Sequence, residues 1–144
     1  MLNINYILHD KPLHNNTKIL VERLVNIIAT VIELPNDLQI EFRKLDKNAY
    51  GETSLNPRYK NRITINSDLD LTEIMYPLVH ELIHVHQIHT NRLVVRPNNI
   101  YFWNNKRYNV NNNLTYESYI DLPWEADVIE KQKMIYKVIL EKTR

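Results

Sequence analysis

Cysteine is absent from all 144 residues, which excludes a disulfide framework and any thiolate metal centre. A zinc site in this chain would have to be built from histidine and carboxylate. Glycine is nearly absent too, with Gly51 the only one. Turns that need left-handed backbone must then fall to the next most tolerant residue, and asparagine, with 19 copies, is abundant enough to fill them. No stretch approaches the run of about 18 apolar residues that a membrane-spanning helix requires. Residues 1–10, which include Asn3, Asn5 and His9, lack the basic start and apolar run of a signal peptide. A charge excess of either sign is also missing, with 18 Lys and Arg against 17 Asp and Glu. No electrostatic footprint for nucleic acid or a membrane surface follows; Arg58, Lys60 and Arg62, and Lys106-Arg107, read as solvated faces. With 44% hydrophobic and 24% charged residues, the expectation is one soluble, cytoplasmic globular domain over residues 1–144.

Hydrophobic periodicity places the elements. Between Asn15 and Leu34, residues Ile19, Leu20, Leu24, Ile27, Ile28, Val31 and Ile32 recur at helical spacing; Asn16 or Thr17 can cap and Pro35 stops the run. Leu38 to Leu45 alternates as a strand, as does Arg62 to Asn66. Asp46 to Lys60 is polar and reads as loop with room for a short edge strand. Ser67 to His89 is a second helical segment, with Asp70 and Glu73 spaced as a capping box. Pro77 requires that this helix either start late or bend, and in both cases His80 to His84 lies in continuous helix. Ile100 to Val110 is a hairpin turning at Asn104-Asn105, and Asn109 to Thr115 a polar loop. Pro123 to Lys142 is a last helix, with Val128, Ile129, Ile135, Val138 and Ile139 facing the core.

The chemistry is concentrated in His80-Glu81-Leu82-Ile83-His84. On a helix, residues four apart lie about 40° from each other on one face and one turn apart along the axis. Two imidazoles so placed can share one Zn²⁺, and Glu81 beside them can reach a water at the metal without ligating it. A catalytic zinc normally takes a third protein ligand. His86 and His89 point to other sides of the helix and read as surface or partner-facing residues. Glu125 is the favoured third ligand: it opens the last helix on the same stripe as Val128, Ile129 and Ile139, and a carboxylate on an apolar face needs a partner. Its plainer reading is a first-turn glutamate favoured by the helix dipole. Glu117, Asp121 and Asp127 are the fallbacks. Tyr116 and Tyr119, in the segment leading to Glu125, are candidates to hold an oxyanion, between which the sequence does not choose.

Arg62-Ile63-Thr64-Ile65-Asn66, then Leu78-Val79-His80-Glu81-Leu82-Ile83-His84, then the aromatic hairpin and Leu122-Pro123-Trp124-Glu125-Ala126 resemble the minimal zincin-type metallopeptidases. The chain is similar over about Leu38 to Lys142 to SprT-like proteins and to small phage and bacterial metallopeptidases of gluzincin type. The resemblance implies an α+β, zincin-like fold: a small, mostly antiparallel sheet packed on the N-terminal helix and the H-E-x-x-H helix. It also implies His80, His84 and Glu125 as zinc ligands, the last from the C-terminal helix, and Glu81 as general base. Two departures stand out: no cysteine-rich zinc ribbon follows, and Asn104-Asn105 occupies a turn where relatives would carry glycine. The expected activity is hydrolysis of a protein or peptide substrate, with the substrate lying along an exposed edge between Tyr50 and Tyr59. The competing readings are a catalytically inactive, zinc-stabilised binding or virion-associated protein on the same scaffold, and a metal-free α+β domain in which the motif is accidental.

Overall fold

Leu38, Ile40 and Phe42 on one strand, and Ile63 and Ile65 on another, are buried together on one side of a sheet. The computed structural model describes residues 2–46, 49–110 and 114–143. Along the chain run β1 (Asn3–Leu8), α1 (Asn15–Ala29), β2 (Asp37–Arg43), β3 (Gly51–Thr53), a 3₁₀ turn (Pro57–Tyr59), β4 (Arg62–Asn66) and α2 (Met75–His89). They are followed by β5 (Leu93–Arg96), β6 (Ile100–Trp103), β7 (Lys106–Asn109), α3 (Tyr116–Ile120) and α4 (Pro123–Lys142).

The architecture is α+β. Four strands form one sheet in the order β1-β2-β4-β3, and three form a second, β5-β6-β7. Antiparallel pairings predominate, three of five, but the two longest ladders, β1 with β2 and β2 with β4, are parallel. Parallel neighbours need a long crossover, and α1 supplies it between β1 and β2. The apolar face of the four-stranded sheet meets α1, α2 and α4 in one core that includes Val21, Ile28, Leu78, Leu82, Val128 and Ile135. A smaller cluster of Leu93, Trp103 and Trp124 joins the three-stranded sheet to α4, with Tyr101 stacked on Trp124 at 5.0 Å between ring centroids.

Several boundaries differ from the sequence reading, each for a local reason. Helix α1 ends at Ala29, well before Pro35, because Thr30 turns its hydroxyl back onto the Ile27 carbonyl at 2.6 Å. Its N-cap is His14, whose Nδ1 accepts from the Asn16 amide, rather than Asn16 or Thr17. Asp70 and Glu73 do exchange capping-box hydrogen bonds, but they close a turn before α2 rather than capping it. Helix α2 starts late, at Met75, so Pro77 falls in the first turn, where its missing N–H has no helical partner to lose. Strands β1 and β5 and helix α3 were not anticipated: β5 and α3 span only four and five residues, and β1, six residues with none fully buried, pairs with a strand on the far side of α1. Asparagine does fill the turns, with positive φ at Asn61, Asn91, Asn98, Asn99, Asn104 and Asn105. At Asn104 and Asn105 φ is 50° and 68°, as a type I′ hairpin turn requires. Among the described residues, no helix is long and apolar enough to cross a membrane.

Candidate metal centre

Because α2 runs unbroken from Met75 to His89, His80 and His84 stand one turn apart with ring centroids 5.1 Å apart. The start of α4 lies against them. Pro123 occupies its first turn, and Glu125, in that same turn, is only 3% exposed. The Glu125 carboxylate sits between the two imidazoles, with Oε2 at 2.9 Å from His84 Nε2 and Oε1 at 3.4 Å from His80 Nε2. One ligating atom from each of His80, His84 and Glu125 falls within 4.8 Å of the others. Around a tetrahedral zinc the donor atoms stand about 3.3 Å apart, and the 2.9 and 3.4 Å approaches of the carboxylate to the two imidazoles are of that size; two imidazoles with a carboxylate form a donor set that could hold a metal ion.

The electrostatics follow from burying four ionisable groups together. Burial alone would raise the Glu125 pKa, but hydrogen bonds from His80 and His84 and the His84 charge outweigh it and hold the carboxyl at about 2. Burial alone would lower His84, yet the Glu125 hydrogen bond and charge, then the Glu81 charge, raise it above the ordinary imidazole value. For Glu81 burial wins: its pKa is raised, although the charges of His84 and His80 and a hydrogen bond from Thr53 pull the other way. Beside two imidazoles and a second carboxylate, a carboxyl whose pKa is raised is a group able to take up and return a proton.

Three residues that sequence reasoning missed shape the site. Thr53 donates its hydroxyl to Glu81 Oε1 at 2.9 Å, tying the carboxylate to strand β3. Gly51 lies where β3 passes closest to α2: a Cβ there would sit 3.0 Å from the Thr64 carbonyl, 3.2 Å from Pro77 Cβ and 3.3 Å from Glu81 Cγ. The only glycine of the chain thus serves close approach rather than a turn. Gln87, fully buried, donates its amide to the Trp124 carbonyl at 2.8 Å and to Asp127 at 2.9 Å. Both partners are acceptors, so Gln87 Oε1 must face His84 Nδ1, 2.9 Å away, and accept its proton. That fixes the tautomer of His84 with Nε2 turned to the cluster. Gln87 lies three residues beyond His84 on the buried side of one helix, a spacing legible in the sequence; nothing in the sequence marked Thr53.

The remaining candidates separate cleanly. Asp127 faces Gln87, Lys131 and Arg92 rather than the cluster, and Glu117 and Asp121 are outside it. Tyr116 is 75% exposed and lines no part of the cleft, whereas Tyr119 stands over it against Glu125, its hydroxyl pKa raised by burial and then by the Glu125 charge. His86 donates to the Glu33 carbonyl at 2.7 Å and His89 lies 3.7 Å from the Glu33 carboxylate, both away from the cluster. His80 Nδ1 is buried and has no partner among the described residues. No protein-family model, curated protein or solved structure matches the chain.

Proposed function

We propose that this chain is a zinc-dependent metallopeptidase of gluzincin type. The observation that carries the proposal is the meeting of His80 and His84 from α2 with Glu125 from α4, while the Glu81 carboxylate stands beside them at the wall of an open cleft. His80, His84 and Glu125 would hold the ion. When bound there, zinc would supply a Lewis acid for the scissile carbonyl and would acidify a water towards neutrality.

The chain's own residues do the rest. Glu81, held by Thr53, accepts a proton from the attacking water as the new C–O bond forms. It returns that proton to the amine nitrogen as the C–N bond breaks, leaving a carboxylic acid and an amine, which exchange the remaining proton to become carboxylate and ammonium. Tyr119, which lines the cleft, would donate its hydroxyl to steady negative charge on the carbonyl oxygen. Tyr50 and Ser54 spend main-chain hydrogen bonds on β4, at 2.9 Å to Asn66 and 2.9 Å to Arg62. By the alternation of an antiparallel ladder, Gly51 and Thr53 then present their N–H and C=O groups to the open edge. An extended peptide can pair there, which puts its backbone over Glu81.

Metal content and hydrolysis test the reading together. The native chain purified without chelator is expected to carry about one zinc and to cleave unfolded protein, with zinc lost in His84→Ala and Glu125→Ala. Glu81→Gln is expected to keep zinc and lose activity by about 10²–10⁴-fold. No zinc after metal addition sinks the proposal. Zinc without hydrolysis in the native chain leaves a zinc-stabilised binding protein.

A further inference from the structure

The cleft does not end at the His80–His84–Glu125 cluster. Beyond Thr53 it opens into a pocket of about 290 Å³ over the C-terminal half of α2, walled by the segment after β3 on one side and by β5 on the other. Thr53, Leu55, Ile88 and Leu93 line both this pocket and the part of the cleft that holds Glu81, His84 and Glu125, so the two form one continuous surface. Aliphatic side chains, Val85, Val94 and Val95 with Leu55, Ile88 and Leu93, form one part of the pocket wall, and polar residues, among them Asn56, Asn61 and Asn91, form the rest. Leu55 remains 46% exposed, so its side chain is free to cover a ligand group. On the other side of Glu81 the cleft is lined by Tyr50, Tyr76, Tyr119 and His80, all with polar tips. The surface is therefore chemically lopsided about the point where a bond would be cut.

The pocket lies at the small end of the roughly 300–1,000 Å³ typical of ligand sites, a size for one large side chain rather than a whole small molecule. An aliphatic or aromatic group entering it would shed water against Leu55, Ile88, Leu93 and Val95. A cationic side chain would lose its hydration against the same walls and meet Lys60 and Arg96, which also line the pocket. We propose that this pocket is the specificity pocket of the cleft, binding one bulky apolar side chain of an extended peptide paired on β3. Its role rests on the peptidase reading; its occupancy does not.

The test is an NMR titration of the Glu81→Gln chain, run both with and without added zinc, with acetyl-Ala-Xaa-Ala-amide carrying Leu, Phe or Lys at Xaa. The Leu and Phe peptides are expected to shift the amides of Leu55, Ile88, Leu93 and Val95, at concentrations at least about tenfold below the Lys peptide. Added singly to that chain, Leu55→Asp and Val95→Asp should each weaken the Leu peptide by about tenfold or more while leaving the rest of the amide spectrum native. Equal binding of the three peptides, shifts confined to Tyr50 and Tyr76, or indifference to both substitutions in a natively folded chain would each overturn the assignment. Hydrolysis of the same peptides by the native chain is scored separately. Selective binding without cleavage supports the pocket and defeats the peptidase reading, whereas cleavage with no preference for Leu or Phe does the reverse.

Discussion

Gln87 connects α2 and α4 through a single amide. One end fixes the His84 ring; the other holds the Trp124 carbonyl and Asp127, which flank Glu125. Replacing it with Leu would leave the buried His84 Nδ1 and the Trp124 carbonyl without that partner, while Asp127 keeps Lys131, and would free the His84 ring to turn. Gln87→Leu is therefore expected to weaken zinc binding by about 10–100-fold, measured by competition with a chromophoric chelator. An affinity within twofold of the native chain would show that the ring needs no such support. Gly51 and Thr53 act at the same scale but on Glu81, one by allowing β3 to approach and the other by holding the carboxylate.

At the scale of elements, the hairpin of β6 and β7 and the ladder of β2 with β4 yield separate predictions. Asn105 has φ of 68° and is outward-lying at the hairpin turn, so Asn105→Gly removes backbone strain without removing a core contact. The expected gain is about 0.5 kcal/mol in urea denaturation, with Asn105→Ala shifting the midpoint the other way. On β2, burial alone would raise the Glu41 pKa, but hydrogen bonds from His9 at 2.7 Å and Thr64 at 2.8 Å, with the Arg43 charge, bring it below the ordinary carboxylate value. A folded pKa below the unfolded one means that the stabilisation is complete above the unfolded value and is lost as pH falls through the folded one. The native chain should therefore lose stability across that acid window more steeply than Glu41→Gln. Parallel stability–pH curves for the two proteins through that window would rule this contribution out.

At the scale of the whole molecule, an ion held by His80, His84 and Glu125 would clamp α2 to α4 across the core. Zinc at 100 times its Kd would stabilise the fold by about 2.7 kcal/mol, raising Tm by about 10 °C, and a chelator should reverse this in calorimetry. An unchanged Tm would show that the clamp does not form. Uptake must displace a proton from His84, whose pKa is raised, whereas Glu125 at about 2 stays ionised above pH 4 or so. Because each imidazole that takes the ion must be neutral, apparent zinc affinity should consequently fall by at least about tenfold per pH unit once pH drops below the His84 value, with no further break from Glu125 until far lower.

The local sequence determined what depends on local physics. Four-residue spacing on a helix put His80 and His84 on one face, Pro123 and the apolar periodicity after it drew α4, and a chain with one glycine had to turn on asparagine. Glu125 could be singled out because a carboxylate on an apolar stripe demands a partner. Tertiary structure alone decided which partner, since the 3.4 and 2.9 Å approaches to His80 and His84 depend on how α4 docks on α2. It also decided that the longest ladders are parallel, that β1, β5 and α3 form, and that Tyr119 rather than Tyr116 overhangs the cleft. The physical reason is that β5 and α3 lack the length to declare themselves, while β1 buries no residue fully and takes its pairing energy from β2, beyond α1 in sequence. Thr53 shows the limit most plainly: an ordinary threonine in a polar stretch, it meets Glu81 only because a glycine two residues earlier lets the strand come that close.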